Sequence, residues 1–311
     1  MRADVSAAAL WLGSLELAGL GVFALAALVD LGLRRRSAAT RRGLWALTIA
    51  VVLALPLARL ALTVPAAPLA PGLAATLLAL WGGGALLLLL RMVRGHALAR
   101  GRRSRSAALD DAAWLASTRA LQDAAARPRV ELRVSDEIDG PQTTGVLRPA
   151  ILVPRRMLGA SAAERRALLA HELAHVARAD CLLLLAGAAA RAIYWISPLP
   201  WWALRRLRAH AEDAADDAVL QRGIRSSSYA SQLVAAAREQ LERAGRVAAD
   251  GLRERVRGVL DGRRVRSPAP AHDPRRSVPR LVAAAALFAA VATACEARSS
   301  EGPTPPLAAR R

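Results

Sequence analysis

Three apolar blocks in the first 90 or so residues constrain this chain more than anything else in it. Residues 7–29, about 44–64 and about 69–90 are each long enough, as a helix, to cross a hydrocarbon core of ~30 Å. Backbone N–H and C=O groups in such a layer must be satisfied internally, so an open chain crosses it as helix. Hydrophobic residues make up 54% of the sequence, yet it has only two Phe and two Tyr. The apolar mass therefore lies in Ala/Leu/Val blocks rather than at core periodicity, which predicts a multi-pass α-helical membrane protein whose first partner is the lipid bilayer.

Charge placement gives the direction. The formal net charge is +19, carried by arginine without a single lysine. Arg34, Arg35, Arg36, Arg41 and Arg42 follow the first block, and Arg91 and Arg94 close the third. By the positive-inside rule, residues 34–42 and everything after 91 are expected in the cytoplasm and the N-terminus outside. No basic n-region or clear cleavage site marks the first block as a signal peptide, so it reads as a retained span. The arginines flank apolar blocks without interleaved stacking aromatics, so direct nucleic-acid binding is not expected. Cys181 and Cys295 stand far apart in different contexts and imply no disulfide framework. Two charges fall inside the spans, Glu16 and Arg59. Snorkelling of Arg59 to the outer headgroups is favoured over a Glu16–Arg59 pair. Gly82-Gly83-Gly84 permits close helix contact or a kink.

Beyond the spans, residues 95–106 read as a basic linker and 107–262 as a cytoplasmic α+β domain. Leu109 to Ala126 has helical amphipathicity, and Val130 to Ser135 alternates as a strand. Ala150, Ile151, Leu152 and Val153 form a short strand between Pro149 and Pro154. Prolines suit a sheet edge, so this strand is a candidate to pair with an extended peptide substrate; an ordinary buried strand is the other reading. Residues 263–280 form a second basic linker, 281–295 an apolar block short for a span, and 296–311 a disordered tail.

The chemistry is concentrated in residues 161–180, SAAERRALLAHELAHVARAD. Ser161 and Glu164 make a capping-box pattern ahead of a helix-forming run. His171 and His175, one helical turn apart, present two imidazoles to one metal, and Glu172 beside them can take a proton from water. A catalytic zinc needs a third protein ligand and an open position. Glu212, on a helix opened by Pro198 and Pro200 and closed by Gly223, is the candidate for that ligand; a solvated acidic face with Asp213 and Asp217 is the other reading. Asp216, four residues on, shares its face and is placed to orient one histidine. His210 is either an oxyanion stabiliser or a helix-surface histidine. Residues 181–202 are apolar enough for a fourth span, but a full crossing would part Glu212 from the histidines. They must be buried in protein, dip into the membrane and return, or lie on its surface with Trp195, Trp201 and Trp202 at the interface.

The sequence HELAHVARAD, then Trp195-Ile196-Ser197-Pro198, then Glu212 through Asp216 to Val219-Leu220 resembles the BlaR/MecR-type membrane zinc metallopeptidases of beta-lactam sensor-transducers. Residues 141–154 resemble the stretch before that family's zinc helix. Relatives often carry Cys where this chain has Ala215. The resemblance implies a gluzincin-like peptidase with His171, His175 and Glu212 as zinc ligands, Glu172 as base and Asp216 behind them. It further implies signalling through cleavage of a cytoplasmic winged-helix repressor or of the chain itself. The chain ends at Arg311, soon after Cys295, so the family's extracytoplasmic penicillin-binding sensor domain is not expected and a separate sensor partner is. The competing class is a catalytically idle receptor or scaffold with a structural zinc.

Overall fold

The computed structural model describes residues 2–60, 70–123, 130–244 and 251–266. Helices α1 (Arg2–Gly32), α2 (Ala38–Leu60) and α3 (Pro71–Arg105) carry the three apolar blocks, and each contains a stretch long and apolar enough to cross a membrane. Residues 95–105, expected as linker, instead continue α3. Ala, Leu and Arg are good helix formers, and no proline interrupts them. At 35 residues, α3 is about 52 Å long, well beyond a bilayer's apolar core. Its end reaches the sheet, where Arg103 donates to Glu131 at 2.7 Å and Arg105 grips Glu137 at 2.6 and 2.7 Å.

After α3 come β1 (Ala107–Ala108), α4 (Ala112–Asp123), β2 (Glu131–Ser135), β3 (Gln142–Thr144) and β4 (Ala150–Pro154). The sheet order is β1-β2-β4-β3. β4 runs parallel to β2, with Leu132 opposite Ile151, and antiparallel to β3, with Thr143 opposite Ile151. The strand proposed for an edge, Ala150 to Val153, is thus the one paired on both sides and wholly buried. Its unbroken apolar run is the mark of a strand covered on both faces, and the prolines bound it without interrupting its pairing. The edge beside the site is β3, a strand of three residues too short to show alternation.

Helices α5 (Ala162–Ala177), α6 (Asp180–Ile193), α7 (Pro198–Leu220), α8 (Ser226–Ala244) and α9 (Leu252–Leu260) follow. One core joins the sheet to α4, α5 and the far end of α7 through Trp114, Ile151, Leu169, Leu173 and Val219. Each fully buried Leu or Ile there contributes about 1.5–3 kcal/mol over an exposed one. A second core joins α1 and α2 to α6 and the near end of α7 through Phe23, Trp45, Val52, Tyr194 and Leu207. Helix α7 belongs to both, so it carries whatever lies midway along it to the junction.

Most of residues 181–202 are half-buried against the rest of the protein. Helix α6 bends 55° away from α5 and meets the apolar helices. The chain then turns and comes back as α7, which keeps Glu212 on the histidines' side. At the turn, the Tyr194 hydroxyl donates to the Val52 carbonyl at 2.8 Å, and Trp195 Nε1 donates to the Trp81 carbonyl at 3.1 Å. Tyr194 lies against Gly19, and Trp195 against Gly84, where a Cβ would collide with either ring. Trp202 packs edge-on to Trp45. Glu16 accepts from Trp81 Nε1 at 3.1 Å. The Arg59 side chain, residues 281–295 and the tail lie outside the described residues.

Candidate metal centre

Helix α5 begins as its sequence indicates: the Ser161 hydroxyl accepts the Glu164 N–H at 3.3 Å, and the Glu164 carboxylate accepts the Ser161 N–H at 2.9 Å. Three turns on, His171 and His175 share a face, with their Nε2 atoms 3.2 Å apart. Glu212 comes from α7: its carboxylate lies 3.4 Å from His171 Nε2 and 3.6 Å from His175 Nε2. Among the described residues these three form the one group able to hold a metal ion, with all ligand atoms within 4.8 Å of one another.

Each histidine is oriented from behind. His175 Nδ1 lies 2.8 Å from Asp180, and His171 Nδ1 lies 3.1 Å from Asp216. An Nδ1–H donated to a carboxylate leaves the Nε2 lone pair free, so both lone pairs point into the Glu212 side of the site. Asp216 also accepts from the Tyr229 hydroxyl of α8 at 2.7 Å and from Arg255 of α9 at 2.7 and 2.9 Å. Arg255 lies 3.2 Å from Glu212 as well.

These contacts set the charge states. Burial alone would favour neutral groups. Against it, hydrogen bonds from Arg255 and His171 hold Asp216 far below the usual carboxylate range. Glu212 is likewise opposed by burial but is drawn down to about 2 by His171, His175 and Arg255. His171 loses to burial but gains more from Asp216 and Glu212, and rises to about 9 without a metal. The surrounding cations thus favour the charged form of both Asp216 and Glu212.

Glu172 is 7% exposed, and the Thr143 hydroxyl of β3 donates to its carboxylate at 2.7 Å. A cleft of about 750 Å³ opens in front of the group, lined by β3, α5, α8 and Arg255, with Met157, Leu168, Leu184 and Leu233 forming apolar wall. His210 is absent from it. Two residues before Glu212, it points to the opposite side of α7, 2% exposed and 3.5 Å from Asp30 of α1. Burial, then the nearby Arg41 and Arg206, lower its pKa to about 3. It is neither beside the two histidines and Glu212 nor on the helix surface, so neither sequence reading of it describes this placement.

Thr143, Asp180, Tyr229 and Arg255 were not singled out in the sequence. Only Asp180 had a local signal, standing five residues after His175 at the start of the next helix. The other three come from distant elements whose approach no spacing announces.

Helices apolar enough for a membrane, joined to this cluster of two histidines and a glutamate, define a membrane protein of metallopeptidase type. The family described as BlaR1 peptidase M56 matches residues 63–257, more than half of the chain, and the protein belongs to that family. The chain is also 36% identical over 93 residues to the regulatory protein BlaR1 of Bacillus licheniformis. That match covers 30% of this chain and 16% of the relative's length.

Proposed function

We propose that the protein is a membrane-bound zinc endopeptidase of signal transduction, with a gluzincin-like α+β catalytic domain in the cytoplasm. His171, His175 and Glu212 hold the zinc, Glu172 is the general base, and Asp216 and Asp180 fix the two imidazoles. The carrying observation is the ligand triangle. Donors about 2.0–2.1 Å from a tetrahedral zinc stand about 3.3–3.4 Å apart; the two imidazole Nε2 atoms are 3.2 Å apart, and the Glu212 carboxylate approaches each through a different oxygen, at 3.4 and 3.6 Å. Zinc bound there would supply Lewis-acid polarisation of the scissile carbonyl and activation of water. Glu172, steadied by Thr143, takes the proton from the attacking water and delivers it to the leaving amine. An extended peptide adds to the open edge of β3, which crosses the cleft beside Glu172.

The rival reading, an idle receptor with a structural zinc, is disfavoured on two grounds. A structural site is closed by four ligands, whereas three protein ligands here face a cleft. Such a site also has no use for a buried carboxylate beside its ligands. Arginine placement supports a cytoplasmic domain with the N-terminus outside. The resemblance to that family supports a cytoplasmic winged-helix repressor, or the chain itself, as substrate. In Glu172→Gln, one zinc per chain is expected to remain while peptide cleavage falls by about 100-fold or more. Full cleavage by that variant would refute the assignment.

A further inference from the structure

We propose that Arg42 of α2 is a positioning residue for His175, acting through Asp180, so that the placement of the membrane helices sets the geometry of the metal centre. The inference rests on the metallopeptidase reading above. Asp180 divides its two oxygens. Oδ2 holds His175 Nδ1 at 2.8 Å, while Oδ1 accepts from Arg42 at 2.6 and 2.7 Å. Arg42 also donates to the Arg178 carbonyl at 2.6 Å, so it clamps the α5–α6 corner at two points. That corner depends on Ala179, whose φ of 52° makes it the one non-glycine residue in the left-handed region among those described. The unusual turn brings the first carboxylate of α6 back against the last turn of α5.

A headgroup anchor would reach outward. Arg42 is instead turned inward, its side chain 14% exposed against 4% for Asp180. A carboxylate so buried needs a paired cation. Arg178 also approaches, but its Nε stands 3.5 Å away. The neighbouring Arg41 serves as an internal comparison. It grips Asp30 of α1 at 2.7 and 2.8 Å, joining α1 to α2 without touching the site. Two adjacent arginines thus divide the work: one ties membrane helix to membrane helix, and the other ties α2 to a metal ligand's support. A shift of α2 against α6 reaches His175 by this route.

The test uses the full chain in detergent, with zinc affinity read by chelator competition and ligand geometry by the visible spectrum of the cobalt(II)-loaded protein. Arg42→Gln is expected to weaken zinc binding by about 10–100-fold and to shift the cobalt bands, with Arg42→Lys recovering part of the loss. Arg41→Gln should leave both readouts unchanged. Asp180→Asn removes the link itself, so adding Arg42→Gln to it should cost nothing further. Wild-type affinity and spectrum in Arg42→Gln, an equal loss in Arg41→Gln, or additive losses in the double variant would each overturn the proposal. Should the unaltered chain bind no metal, the metallopeptidase reading falls too. Tight binding by both it and Arg42→Gln would remove only the role of Arg42.

Discussion

Asp216 accepts hydrogen bonds from Tyr229 and Arg255 while facing His171 Nδ1, so one carboxylate joins α5, α7, α8 and α9 at the candidate metal centre. Asp216→Asn keeps the shape but loses the charge that favours an Nδ1–H on His171 and balances Arg255. Zinc affinity is expected to fall by about 10–100-fold in chelator competition, with Tyr229→Phe costing less because the carboxylate remains. The roles of His171, His175, Glu212 and Asp216 could be proposed from sequence because helical periodicity places residues four apart on one face. Arg255 carries no such spacing signal, and His210, two residues before Glu212, falls on the opposite side of α7.

At the scale of elements, the sheet decides how a substrate can lie. β4 has partners on both sides, which leaves β3 as the edge facing the cleft. A peptide added there would use backbone groups at alternate positions. Backbone N-methylation of a cleaved peptide should therefore abolish turnover at alternate residues and be tolerated between them. Equal tolerance at every position would rule out strand addition. Proline flanks suggested an edge for Ala150 to Val153, but they restrict only the strand's ends. Pairing partners are a property of the sheet, and the 3-residue β3 is too short to register as a strand in the sequence.

At the scale of the whole molecule, the α6–α7 hairpin is seated against the long apolar helices by aromatic rings on glycines. Gly84→Leu would drive a side chain into Trp195, and Gly19→Leu into Tyr194. Each is expected to destabilise by about 1–3 kcal/mol and lower the unfolding midpoint in detergent, whereas Gly83→Leu, with open space around it, should be near neutral. Reporter fusions at Ala67 and Ala108 are expected to give outside and inside signals respectively. The reverse pattern would refute the topology argued from the arginines.

The sequence by itself determined the apolar helices, the capped H-E-x-x-H helix and the Glu212–Asp216 face. All of these are periodic or local, so a single helix turn or a bilayer thickness is enough to read them. Tertiary structure alone decided that β3 is the open edge, that Arg255 and Tyr229 stand behind the candidate metal ligands, and that Arg42 reaches Asp180. Those contacts join residues tens to more than a hundred positions apart, and they depend on how packed helices meet rather than on any repeat along the chain.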